Sequence, residues 1–237
     1  MKILAVDTSA NTASAAIACD GQLVAEQIIN YKKTHSETLM PMIDGLLAAC
    51  GTDIGEIDVF AAANGPGSFT GLRIGVSTVK ALAHALGKPA VGISTLEALA
   101  YNIPCADGLI SPIMDARRQQ VYNAVYRADG GVLTEVTAPR ALAIIDCIRE
   151  FENEKRVCFL GDGVLAYRDI ISREMGERAV FAPLNCALQR ASSVAALARI
   201  KAERGKLGDC HTLLPFYIRK PQAEREYEEK MNNKGES

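Results

Sequence analysis

Residues 64–83 read NGPGSFTGLRIGVSTVKALA. Gly65, Gly67, Gly71 and Gly75 follow an apolar run and lead into a helical pattern, the place where a nucleotide enzyme would hold a phosphate. A helix start offers free N–H groups to an anion, and glycine lets the chain turn tightly enough to aim them. Two templates for such a loop fail here. A Walker A loop counted from Gly65 or Gly67 meets Thr70 or Leu72 where its second glycine belongs, and no lysine follows. A dinucleotide fingerprint begun at Gly65-x-Gly67 meets Thr70 where its third glycine belongs. Asp7 ends the first apolar run before Thr8 and Ser9, a position from which a carboxylate could hold a metal–nucleotide, with Gly65, Gly67 and Ser68 against its phosphates. A turn-capping Asp and a strand-to-helix turn that needs glycine for geometry alone account for the same residues.

Other chemistry is scarce. The three histidines, His35, His84 and His211, form no H-x-x-x-H or H-E-x-x-H, and no G-x-S-x-G is present, so neither a metal centre nor a nucleophile elbow is expected. His35 and Ser36 are chain neighbours, which does not make a triad. Asp115-Ala116-Arg117-Arg118 reads as a salt-bridged turn. The seven cysteines are odd in number, widely spaced and without C-x-x-C, so they read as small buried residues of a reducing cytoplasm. Against 28 acidic residues stand 26 Lys and Arg, a net charge of −2, which does not fit a chain that grips nucleic acid alone. Asp7 breaks the first apolar run too early for a secretory leader, and no run approaches the roughly 18 apolar residues of a membrane span.

The elements that must position these residues follow from periodicity. Runs 2–9, 12–20 and 23–30 predict an antiparallel three-strand meander, with Asp20-Gly21 as a hairpin turn. Thr34-x-x-Glu37 has capping-box form before a helical pattern that ends at Gly51, with Pro41 predicting either a kink or a later helix start. Strand 57–64, helix 70–87, strand 89–94 and helix 95–102 complete the order β-β-β-α-β-α-β-α. The segments 6–26 and 114–135 share an opening apolar-Asp, a polar turn, a β-rich run ending at Asp-Gly and a closing Glu, at an offset of 108 to 109 residues. This predicts a duplicated unit, with a boundary near 104–107. Helices near 140–152, 164–175 and 190–205 and strands 157–161 and 179–183 follow. A charge-dense tail from about Arg219 to Ser237 reads as solvated. Helix 70–87 is apolar on two stripes, one through Leu72, Val76 and Val79 and one through Gly71, Gly75 and Leu82. It is therefore expected to pack on two sides, with Gly71-x-x-x-Gly75 admitting a second helix, from this chain or from a partner.

MKILAVDTS, HSETLMP, NGPGSFTGLRIGVSTVKALA, GISTLEALA and MDARRQQVY, in this order, resemble the TsaB (YeaZ) family, and LLPFYIRKPQAER resembles its C-terminal run. The resemblance implies an α/β actin-like ATPase, sugar-kinase-like (ribonuclease H-like) fold of two duplicated domains with mixed sheets, here 1–104 and 105–218. It implies a non-catalytic scaffold in the bacterial complex that forms N6-threonylcarbamoyladenosine at position 37 of tRNAs reading codons that begin with A. The catalytic TsaD paralogue and the ATPase TsaE would be partners, and ATP/ADP and metal would be bound by those subunits. The free chain would be a homodimer, and tRNA would be met through the complex. TsaD carries a metal-binding H-x-x-x-H after the strand matching 89–94, and Thr95 and Leu99 stand at those two positions here. Pairing would use helices 35–50 and 70–86, through Leu39, Ile43, Leu46, Leu72, Arg73, Gly75, Val76, Val79 and Lys80. An independent ATPase or kinase of the same fold, using Asp7 and the Gly65–Gly75 segment, is the alternative. A peptidase acting on the partner would need a nucleophile or metal that the sequence does not display.

Overall fold

The first apolar run forms β1 (Lys2–Asp7), and two tight turns return the chain as β2 (Ala13–Cys19) and β3 (Gln22–Ile29). The computed structural model describes residues 1–31, 34–106 and 108–219, so the predicted tail beyond Arg219 lies outside the described residues. β4 (Val59–Gly65) and β5 (Ala90–Ser94) add parallel to β1, giving the order β3-β2-β1-β4-β5. The second half repeats this with β6 (Gly108–Asp115), β7 (Gln120–Asp129), β8 (Val132–Ala143), β9 (Val157–Leu160) and β10 (Ala179–Phe181). Their order, β8-β7-β6-β9-β10, is the same topology, so the duplication expected from the sequence is present in the two mixed sheets.

Helices α1 (His35–Cys50) and α2 (Phe69–Leu86) lie on one face of the first sheet. α1 begins at His35 and carries Pro41 inside it, so the later start is not the one adopted. The Thr34 hydroxyl donates to the Glu37 carboxylate at 2.6 Å and neither side chain bonds a backbone N–H, so the expected capping box does not form; the two side chains satisfy each other instead. Both helices end at a left-handed glycine, Gly51 and Gly87, which frees their last carbonyls to accept the turning chain. In the second half α4 (Ile144–Arg149) and α5 (Gly163–Met175) take the corresponding places.

The remaining helices are exchanged between the halves. α3 (Thr95–Ala100) follows the first sheet, yet Leu96, Leu99 and Ala100 pack on Ile110, Met114 and Tyr126 of the second. α6 (Ala191–Glu203) follows the second sheet, yet Val194, Ala195, Leu197 and Ala198 cover Ile3, Ala5, Val59 and Val91 of the first. The start of α6 has no side-chain cap of its own. Glu26 on β3 supplies one: its carboxylate accepts from the Ser192 N–H at 2.9 Å, the Ser192 hydroxyl at 2.7 Å and the Arg190 guanidinium.

Candidate functional site

The duplication sets equivalent turns face to face. Asp7 Oδ1 accepts from the Ser9 N–H at 2.9 Å, and Asp115 Oδ1 accepts from the Arg117 N–H at 2.8 Å. Both are the Asx turn that lets a strand end sharply. Between these turns lies a cavity of about 600 Å³, lined by Ser9, Gly67, Ser68, Asp115, Arg117 and Asp162 and closed by Phe216–Arg219 of the C-terminal strap. Asp162 stands where β9 meets α5, the repeat equivalent of the turn between β4 and α2, and its place in the site was not foreseen from the sequence.

Asp115 and Asp162 line this cleft, and Asp7, two residues before the lining Ser9, is buried outside the lining. Burial pushes the Asp7 carboxyl up to about 6, against two hydrogen bonds from Ser9 and with a further rise from Asp162. Asp7 Oδ2 is buried with no partner among the described residues. Burial also pushes Asp162 up to about 6, with Gln189 Nε2 at 3.5 Å pulling the other way. The nearby cations are engaged: Arg117 pairs with Asp115 at 3.2 Å, and Arg219 donates to the Ala116 carbonyl at 2.9 Å.

The glycine stretch is accounted for by close packing. A Cβ on Gly67 would strike the Ser9 carbonyl, one on Gly71 the Thr8 carbonyl, and one on Gly75 would lie 2.5 Å from Thr8 Oγ1. Gly65, at φ +132°, is pressed by the Phe216 carbonyl. Gly71-x-x-x-Gly75 thus admits the β1–β2 turn rather than a second helix, a correction to the sequence expectation. The Thr8 hydroxyl donates to the Gly71 carbonyl at 2.7 Å, the Ser68 N–H donates to the Ser9 carbonyl at 2.7 Å, and Ser68 Oγ caps α2 by accepting from the Gly71 N–H. Ser68 and Gly67 face the cavity while Gly65 faces the strap. His35 Nε2 donates to the Ala10 carbonyl at 2.7 Å, so it fastens the same turn.

The residues expected to meet a partner divide by burial. Leu39, Ile43, Leu46, Val76 and Val79 lie in the first core, Leu72 is fully buried beside Gly65, and Gly75 is buried against Thr8. Their side chains shape the α1–α2 pair from within and do not reach its outer surface, because they face the first sheet. Arg73 is exposed, with its Nε donating to Tyr217 at 3.2 Å, and Lys80 is half-buried. The outer surface instead carries Met40, Gly45, Ala48, Ser77, Ala81 and Ala85, with Ile74 and Leu82 half-buried beside them. Thr95 is fully buried at the start of α3, and Leu99 packs in the core between α3 and the second sheet, so this pair does not fit a metal. A different group, His84, Cys210 and His211, comes together from distant parts of the chain.

Two units of β-β-β-α-β-α-β-α order, joined by exchanged helices around a central cleft, define a duplicated actin-like α/β protein. The fold is shared with component A of the (R)-2-hydroxyglutaryl-CoA dehydratase of Acidaminococcus fermentans, at TM-score 0.51 and 12% identity, over 86% of this chain and 99% of that one. YeaZ from Pseudomonas aeruginosa superposes at TM-score 0.77 with 26% identity, covering 91% of this chain and 99% of its own. A family model described as TsaD, tRNA N6-adenosine threonylcarbamoyltransferase, matches residues 22–227. The tRNA threonylcarbamoyladenosine biosynthesis protein TsaB of Bacillus subtilis is 36% identical over 228 residues, 96% of this chain and 98% of that protein. The chain belongs to the TsaB (YeaZ) family.

Proposed function

We propose that this chain is a non-catalytic scaffold subunit in the formation of N6-threonylcarbamoyladenosine on tRNA. It pairs with a catalytic TsaD paralogue through the outer face of α1 and α2, and the ATPase TsaE joins the pair. The observation that carries this reading is the character of that face: Gly45, Ala48, Ala81 and Ala85 are exposed and small, beside half-buried Ile74 and Leu82. A surface of this kind lets another helical face approach closely without desolvating many charges. Gly45 is the sharpest case, because a Cβ there meets nothing within 4 Å in the free chain, so its own fold does not require glycine. Family membership supports the pathway. The buried Thr95 and Leu99, which offer no metal ligand, support leaving the chemistry to the partner. Nucleotide and metal then belong to the partner subunits, and free copies self-associate through the same face.

Calorimetric titration with purified TsaD tests this reading. Wild type binds, while Gly45→Arg and Ala81→Arg lose binding with melting temperatures no lower than that of wild type. Undiminished binding by both variants would remove the α1–α2 face from the interface. Micromolar binding of ATP and Mg²⁺ by the isolated chain would favour the independent-enzyme reading built on Asp7 and the Gly65–Gly75 segment.

A further inference from the structure

The sequence offers no clustered metal ligands, yet folding assembles three. His84 lies in the last turn of α2, and Cys210 and His211 lie in the turn that follows α6 and opens the C-terminal strap. One ligand atom from each falls within 4.8 Å of the other two. Cys210 Sγ is 3.7 Å from His84 Nδ1, and the His84 and His211 rings meet edge to face at 5.8 Å between centroids. In a tetrahedral zinc site, Zn–S of about 2.3 Å and Zn–N of about 2.0–2.1 Å place neighbouring ligand atoms about 3.3–3.8 Å apart. The Cys210–His84 edge already has that length. The remaining edges are no longer than 4.8 Å and close by at most about 1.5 Å, which side-chain rotation at an exposed site supplies.

The backbone that presents two of these ligands is held independently of any metal. Asp209 Oδ1 accepts from the N–H groups of His211 and Thr212 at 2.9 and 2.8 Å, and the Thr212 hydroxyl accepts from the Asp209 N–H at 3.1 Å. Gly208 pairs with Ala90 at the edge of the first sheet, which sets this turn beside the end of α2. Two imidazoles and a thiol suit a borderline-soft divalent cation rather than Mg²⁺ or Ca²⁺, which prefer oxygen.

We propose that His84, Cys210 and His211 bind one Zn²⁺ ion per chain, with a water molecule in the fourth position. The ion fastens the C-terminal strap to the end of α2. The strap continues from there past Asn64, whose carbonyl accepts from the Phe216 N–H at 2.6 Å, to Tyr217 and Arg219 at the cleft. Zinc is thus a clamp on the segment that closes the cavity, placed at the end of α2 where it borders the exposed Ala81 and Ala85.

The test uses the full chain, stripped of metal with a chelator and titrated with Zn²⁺ against a chromophoric competitor. One equivalent binds, and Co²⁺ in its place gives a tetrahedral visible spectrum with a thiolate-to-cobalt charge-transfer band. Cys210→Ser loses that band, whereas Cys105→Ser, at an exposed cysteine elsewhere, keeps it. His84→Ala and His211→Ala lower zinc affinity by about tenfold or more. Zinc raises the melting temperature of wild type and raises that of the three ligand variants less. The proposal is overturned if wild type takes up no stoichiometric zinc, or if the ligand variants, with metal-free melting temperatures like wild type, bind it as wild type does.

Discussion

Asp7 ends β1 with one carboxylate oxygen committed to Ser9 and the other buried without a partner among the described residues. A charge held this way costs free energy that the two Ser9 hydrogen bonds only partly offset, so the native state holds its proton more tightly than the unfolded chain does. The sign follows: this contribution is fully present below the usual value of 3.8 and is lost as pH rises through about 6. Asp7→Asn removes the titration. The stability of the variant relative to wild type therefore shifts in its favour by up to about 3 kcal/mol between pH 4 and pH 7. Urea midpoints across that range measure the shift. A difference that stays flat with pH would show that the carboxyl pays no burial penalty. Asp162, buried nearby and raised for the same reason, adds a slope of the same sign that remains in the variant.

Helix α2 shows how glycines with one appearance in the sequence separate by environment. A Cβ on Gly75 would lie 2.5 Å from Thr8 Oγ1, whereas Gly45 on α1 faces open space. Gly75→Ala forces the helix away from the β1–β2 turn and costs about 1–3 kcal/mol, as overpacking does. Gly45→Ala relieves helix-interior glycine and gains about 0.5–1 kcal/mol. Thermal unfolding of the two variants should move in opposite directions, and a gain from Gly75→Ala would contradict the close approach. The 3.6-residue periodicity of α2 was legible in the sequence, and so was its burial along Leu72, Val76 and Val79. What faces Gly71 and Gly75 was not, because the neighbour is Thr8, more than sixty residues away in the chain. The same limit hid the cap that Glu26 places on α6 and the meeting of His84 with Cys210 and His211. Periodicity reports which side of an element is apolar, while partners brought together by long-range folding leave no local signal. Asp162 was the more accessible omission: it occupies, in the second half, the place that the glycine turn holds in the first, and the repeat pointed to it.

At the scale of the molecule, the repeat predicts two like sheets, and the two sheets share one topology. The exchange of α3 and α6 adds what a repeat cannot express, since each unit ends with a helix that packs on the other. The face of the first sheet formed by Ile3, Val59, Val91 and Ile93 is covered by α6, from the far end of the described chain. Each of these side chains gains about 1.5–3 kcal/mol from full burial. Together they match the net stability of an ordinary domain, about 5–15 kcal/mol. Residues 1–104 alone keep α1 and α2 on one face of the sheet but leave this second face in water. That fragment should therefore show no cooperative melt and should bind a hydrophobic dye, whereas the full chain unfolds in a single transition. Lys201, which donates to the Gly92 carbonyl at 2.9 Å, and Glu26, which holds Arg190 and Ser192, make the same connection through polar groups. A sharp, reversible transition from the 1–104 fragment would mean that the β5 side of the sheet closes over this face without α6, and that the two halves fold as separate units.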